Sequence, residues 1–256
     1  MRDDLGEPVL LAGPPHAVVS LVPSLTETIE ITVPGRLAGA TDYCTEPPGL
    51  DVARVGGSKY PRIEAVLDLA PDLVVANTEE NRREDVDRLR AAGIPVWVTE
   101  APASVPAALA TLRRLLAEVF GAAAPGWLTA AERAWRDVPP TRVRAVVPVW
   151  RRPWIVLGRD TFAGDVLRRL GVANAYGDSG QRYPRPPLDE LRSVLASGRA
   201  DLVVLPDEPY AFSASDGPEA FPGARCALLS GRYLTWWGPS LAEARTRLGA
   251  ALGPQL

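Results

Sequence analysis

Two segments of the chain share one pattern: "PRIEAVLDLAPDLVVAN" from Pro61 to Asn77, and "PLDELRSVLASGRADLVVLP" from Pro187 to Pro206. Each opens Pro-x-x-Glu, runs through apolar residues at helical spacing and ends in Asp-Leu-Val-Val. In the first copy Ile63, Val66, Leu67 and Ala70 fall at i, i+3, i+4 and i+7, the stripe of a helix with one buried face. Pro61 suits a first helical turn, where no backbone N–H is needed. The closing apolar run is too continuous for a half-exposed strand and fits one buried on both faces of a parallel sheet. Met twice, the unit reads as the matching helix and strand of two similar lobes. A second reading stays open: Asp-Leu-Val-Val is an ordinary strand entry, and proline plus glutamate is ordinary helix-start chemistry.

The rest of the chain alternates in the same way. "HAVVSLVPS" reads as a buried strand, followed by a helix over "SLTETIEIT" that Ser24 or Thr26 caps. "RLAGAT" and "IPVWVTE" are further strands, and the helix between Asn81 and Gly93 stops at its glycine. From Ser104 to Phe120 the helical pattern is long, with Val105, Leu109, Leu112, Leu116 and Val119 along one face. Alternation then resumes, with "RVRAVVPVW" as a strand, "TFAGDVLRRLG" as a helix, "CALLS" as a strand and "SLAEARTRLGAAL" as a closing helix. The fold class is therefore α/β: two Rossmann-like lobes with parallel sheets joined by one long backbone helix. The boundaries are an N-terminal lobe over 1–103, a bridging helix over 104–122 and a C-terminal lobe over 123–256.

Composition narrows the function. A net charge of −3 leaves no electrostatic footprint for nucleic acid. Cys44 and Cys226 are far apart and lack the spacing of a zinc site or a disulfide scaffold. His16 is the single histidine, so a transition-metal ligand set is missing. A carboxylate-only set from Asp42, Glu79, Glu80, Asp207 and Glu208 would suit a hard cation, but nothing fixes its geometry. The first residues, "MRDDLGEPVLL", lack the basic start and apolar core of a secretory signal, and no stretch is long enough for a membrane span. The expectation is a cytoplasmic protein as the sequence stands, extracytoplasmic if the true start lies upstream.

"DDLGEPVLL", "VVSLVPSLTETI", the Gly56-Gly57 pair followed by "IEAVLDLAPDLVVAN", and "LRAAGIPVWVTE" together resemble the substrate-binding proteins of ABC importers for cobalamin and iron chelates. The resemblance is to the type with two lobes on a rigid helix. It covers most of residues 3–120 and, more loosely, the second lobe. It implies a monomeric, non-enzymatic receptor without an intrinsic cofactor, holding a corrinoid or other metal chelate in a cleft between lobes. It also implies one glutamate per lobe docking onto arginines of an ABC permease dimer, which here would be Glu64 and Glu190. The chain departs from cobalamin receptors around the Gly-Gly loop and after the Asp-Leu-Val strand. Where they tend to place aromatics, it has Ser58, Lys59 and Asn77, with Tyr43 and Tyr60 left to offer stacking faces.

Ligands of α/β sheets gather beyond the C-terminal strand ends. That rule selects Ser24, Asn77, Glu79 and Asn81 in the first lobe, beside Tyr43, Lys59 and Tyr60. In the second lobe it selects Trp150, Arg151 or Arg152, and Trp154, with arginine for an acid group and tryptophan for stacking. Arg182, Tyr183, Tyr210, Trp236 and Trp237 fall after a predicted strand or in a long loop and are expected on the same rim. Two adjacent tryptophans on one strand cannot both point inward, so at least one of Trp236 and Trp237 is expected to face a cleft, a partner or a neighbouring element. A cytosolic chelate sensor or chaperone is an alternative. A chelate- or tetrapyrrole-modifying enzyme is disfavoured by the lack of a usable histidine, a Gly-x-Ser-x-Gly elbow or a P-loop.

Overall fold

The computed structural model describes residues 1–255. The chain divides into two compact units. The first comprises 1–101, 109–129 and 237–239, and the second 102–108, 130–236 and 240–256.

The first unit is built on β1 (Val18–Ser20), α1 (Pro23–Thr32), β2 (Leu37–Ala40), β3 (Ala53–Arg54), α2 (Ile63–Asp68), β4 (Leu73–Asn77), α3 (Arg83–Ala91) and β5 (Val96–Thr99). Its sheet has the order β3-β2-β1-β4-β5 and every pair is parallel. Val19, Val74, Ala76, Val96 and Val98 pack with Val66, Val86 and Leu89 of the helices into one apolar core. Two helix starts differ from the sequence reading. α1 begins at Pro23 and has no side-chain cap. Ser24 and Thr26 lie inside the helix, where the Thr26 hydroxyl donates back to the Val22 carbonyl at 3.0 Å. Pro61 precedes α2 rather than opening it, because it is bridged to Gly56, whose φ of 89° suits glycine.

The N-terminal segment covers the open edge of this sheet. The Asp4 N–H donates to the Val98 carbonyl of β5 at 3.1 Å, and the buried Asp3 carboxylate accepts from Arg90 at 2.7 Å. An edge strand covered this way no longer offers free backbone groups to another chain.

α4 (Val105–Phe120) and α5 (Gly126–Ala134) follow. Along α4, Leu112, Leu115 and Leu116 are fully buried. In the first unit Arg114 of α4 is ion-paired to Asp4 and lies 4.8 Å over the Trp97 ring.

The second unit contains β6 (Val143–Val146), β7 (Pro148–Trp150), β8 (Ile155–Val156), α6 (Phe162–Arg168), β9 (Val172–Asn174), α7 (Leu188–Ala196), β10 (Leu202–Pro206), β11 (Cys226–Leu229), α8 (Gly231–Thr235) and α9 (Leu241–Leu252). The parallel sheet runs β11-β10-β6-β9, while β7 and β8 form a separate antiparallel hairpin. "RVRAVVPVW" is thus two strands instead of one. Pro148 has no N–H to continue the ladder, so pairing ends at Val146 and restarts in the hairpin.

The two sheets share one connectivity. In each, the first strand is central (β1, β6), the next helix-linked strand lies on one side (β2, β9), and the strand of the repeated segment lies on the other (β4, β10), followed outward by β5 or β11. The repeated aspartate has the same task in both. The Asp72 N–H donates to the Ala17 carbonyl, while its carboxylate accepts from the N–H groups of His16 and Ala17 at 2.7 and 3.0 Å. The Asp201 N–H donates to the Arg144 carbonyl, and its carboxylate accepts the Arg144 N–H at 3.1 Å. Each aspartate therefore ties the entry of the repeated strand to the central strand beside it.

Candidate functional site

Beyond the C-terminal strand ends of the first unit, two buried asparagines hold the loops in place. Asn77 ends β4, and its Nδ2 donates to Thr99 Oγ1 at 3.0 Å and to the Glu100 carbonyl at 3.1 Å, while its Oδ1 accepts from the Glu79 N–H. Asn81 accepts the Asn77 N–H at 2.8 Å and donates to the carbonyls of Leu21 and Ser58 at 3.2 and 2.9 Å. The loops after β1, β4 and β5 and the Gly-Gly loop are stitched together this way. Expected as ligand contacts, both asparagines are buried and their side-chain amides are bonded within the unit.

Ser24 is buried in the first turn of α1, where its backbone carbonyl accepts the Thr28 hydroxyl at 2.7 Å. Cys44 is buried against the hydroxyls of Thr26 and Thr41, and burial pushes its thiol up, leaving it a poor nucleophile. What the first unit presents to solvent is Tyr43 at 65% exposure, Tyr60 at 72%, and Lys59 next to Tyr60 in the Gly-Gly loop. The Lys59 ammonium donates to the Glu79 carbonyl, which is half-buried, and the Arg82 guanidinium lies 4.6 Å over the Tyr60 ring.

The matching region of the second unit is an aromatic cluster on the β7–β8 hairpin and the loop after β10. Trp154 stacks on Phe212 at 6.1 Å and meets Phe221 edge-on at 5.4 Å. Tyr210 packs against Phe212 at 4.6 Å and edge-on against Trp150 at 5.7 Å. Phe212 and Phe221 are buried, whereas Trp150 is 41% exposed and forms the outer face.

Arg151 was expected to meet a ligand acid, but it turns inward. Its guanidinium is paired with Asp216 and, at 2.5 Å, with Glu219, and lies 5.4 Å from the Trp154 ring. The Tyr210 hydroxyl donates to Asp216 at 2.7 Å, which holds the Asp216 carboxyl below its ordinary value and pushes the Tyr210 phenol up. Glu219 is also held low, first by the Gly217 N–H and then by Arg151. Sequence reasoning missed Asp216, Glu219, Phe212 and Phe221, although the strand-end rule applied to the loop after β10 points at "FSASDGPEAF".

Arg182 is half-buried, donates to the Asp160 carbonyl, and receives the Gly158 N–H on its own carbonyl at 2.7 Å. The fit there is close: a Cβ on Gly158 would lie 2.0 Å from the Gln181 carbonyl oxygen. Tyr183 beside it is 36% exposed. Trp236 and Trp237 are both buried, and Trp236 Nε1 donates to Glu208 at 2.8 Å. They follow helix α8, not a strand, so the two-residue alternation that predicted one outward tryptophan does not apply.

The sequence profile described as periplasmic binding protein matches residues 18–205. The chain belongs to the periplasmic binding protein family. Among relatives of this family member, a vitamin B12-binding protein of Vibrio cholerae is 25% identical over 193 residues, covering 72% of this chain and 70% of that protein. Among solved structures, a periplasmic heme-binding protein from Pseudomonas aeruginosa aligns with a TM-score of 0.75 at 22% identity, covering 94% of this chain and 93% of that one. The apo periplasmic heme-binding protein RhuT from Roseiflexus sp. RS-1 aligns with a TM-score of 0.72 at 21% identity, covering 92% and 97%.

In this binding protein Glu64 and Glu190 both lie in a first helical turn, as the second residue of α2 and the third of α7. Their settings differ. Glu64 is paired with Arg88 at 3.1 Å, both side chains being well exposed, while Glu190 accepts the Tyr176 hydroxyl at 2.9 Å. No group of three or more His, Cys, Asp or Glu side chains that could hold a metal ion occurs among the described residues. No described helix is long and apolar enough to cross a membrane.

Proposed function

We propose that this chain is a non-catalytic binding protein for a metal chelate, a corrinoid or an iron chelate, and that it serves an ABC permease dimer reached through Glu64 and Glu190. The observation that carries the reading is the family match over 18–205, together with a B12-binding relative that it covers over most of both lengths. The strand-end faces support it. Tyr43 and Tyr60 in one unit and Trp150 in the other leave flat aromatic surface in water, which favours stacking against a large conjugated or macrocyclic ligand.

The electrostatics support binding over catalysis. Asp216 and Glu219 are held low, while Tyr210 and Cys44 are pushed up, so each is driven away from the near-neutral range that suits a general acid or base. The metal arrives inside its organic chelate and needs no protein ligand set. On the partner side, Glu64 and Glu190 would orient the encounter with cationic groups more than they add affinity.

A thermal-shift panel of cyanocobalamin, cobinamide, haemin and ferric siderophores tests the reading. A ligand bound only by the folded state raises Tm with the logarithm of its concentration over Kd. The expected result is a concentration-dependent rise with one chelate class. A flat response to every member would overturn it.

A further inference from the structure

Arg151 and Arg152 are neighbours at the tip of the β7–β8 hairpin, yet they have opposite surroundings. The hairpin springs from the C-terminal end of β6, the central strand from which connections leave for β9 on one side and β10 on the other. Ligands of open α/β sheets bind outside the strand ends at such a switch point. Arg151 is spent inward on Asp216 and Glu219. Arg152 is exposed and, among the described residues, makes no side-chain hydrogen bond or ion pair.

Arg152 also has a φ of 66°. A left-handed backbone disfavours a long side chain, and glycine or asparagine would occupy it at lower cost. Strain of this kind is retained where the side chain has a use. Beside it stand the exposed Trp150 and its edge-on partner Tyr210, a flat surface next to a guanidinium fork. Asp216 lies near enough to feel the Arg152 charge but is not ion-paired with it. Asp216 is already held by Arg151 and Tyr210, and Glu219 by Arg151 and the Gly217 N–H. The first unit repeats the pairing of a cation with aromatics. Lys59, the single lysine of the chain, directly precedes the exposed Tyr60, and an ammonium bonded to one carbonyl keeps two further donors.

We infer that the ligand is a flat, conjugated chelate bearing a free carboxylate, and that Arg152 is the residue that selects for that acid. This rests on the chelate-binding reading above. Trp150 stacks on the ring, the guanidinium takes the carboxylate in a two-point hydrogen bond, and a corrinoid whose ring side chains end in amides offers it no carboxylate for that pair.

The test measures Kd for haemin, haemin dimethyl ester and cyanocobalamin in one detergent-containing buffer, for the native chain and for Arg152→Gly. Glycine suits the backbone at this position, so Tm of the unliganded variant should be unchanged or higher. The expected result is haemin bound about ten- to a hundredfold more tightly than its ester, the scale of one charge-assisted hydrogen-bonded pair, with that preference lost in Arg152→Gly. Equal affinity for haemin and ester, a preference that survives in Arg152→Gly, or tighter binding of cyanocobalamin would overturn the inference while leaving the chelate reading standing. Binding of none of the three, nor of any other chelate in the panel, would overturn both.

Discussion

The residues that hold the strand-end faces are mostly buried polar groups, and their roles depend on partners distant in the chain. Asn77 and Asn81 were legible as strand-end polar residues, but their task was not. Each bonds carbonyls from other loops, and no local pattern announces contacts of Asn81 with Leu21 and Ser58. Arg151 was legible as a cation beside tryptophans, whereas its counter-ions Asp216 and Glu219 lie on a loop that only tertiary packing brings near.

The clearest energetic prediction at this scale concerns Asp165. In the second unit its buried carboxylate accepts the Val105 N–H at the start of α4 at 2.9 Å and the Arg169 Nε at 2.8 Å. Burial alone would raise its pKa, but the bonds from Arg169, Val105 and Arg168 outweigh that and hold the carboxyl below its ordinary value. A carboxyl with a lowered folded-state pKa contributes its stability in full above the unfolded value and loses it as pH falls through the folded one. Asp165→Asn should cost about 3 kcal/mol at neutral pH, at the low end for breaking a buried pair. In urea denaturation, the gap between native and variant proteins should narrow as pH drops below 3.8. A gap independent of pH would mean that the charge is not what matters.

At the scale of elements, the repeat was the most informative feature of the sequence. Asp-Leu-Val-Val is more than a common strand entry here, because Asp72 and Asp201 each clamp the central strand of their own sheet. Asp72 accepts two backbone N–H groups and Asp201 one. Asp72→Ala should therefore cost more than Asp201→Ala, each on the order of 1 kcal/mol after allowance for their exposed setting. Equal losses, or none, in denaturant titrations would refute the clamp.

Other elements were illegible for physical reasons. β3 is two residues long and β9 three, too short to show a period. The break at Pro148 splits an apolar run that reads as continuous. α8 is a five-residue helix with no stripe, which is why Trp236 and Trp237 were read as strand residues.

At the scale of the whole molecule, the α/β class and the two parallel sheets were legible from alternation alone. The chain path through the units was not. α4 starts among residues of the second unit and continues from Leu109 in the first, where Arg114 covers Trp97 and pairs with Asp4. A fragment of residues 1–103 lacks that cover, leaving the Trp97 ring without Arg114 over it and Asp4 without its ion pair. It should fail to show a cooperative urea transition, whereas the full chain should show one. A cooperative 1–103 fragment would mean that α4 is dispensable to the first unit.

The purified chain is expected to bind a metal chelate on its strand-end aromatic surface. The most direct measurement is an equilibrium titration of the full chain with haemin and with cyanocobalamin, followed by ligand absorbance and tryptophan emission and repeated with Trp150→Ala. The account predicts saturation at one ligand per chain for one of the two, with affinity reduced about tenfold or more in Trp150→Ala, in line with the loss of an aromatic stacking partner. Saturable binding that is unchanged in Trp150→Ala, or no saturable binding to either ligand, would contradict it.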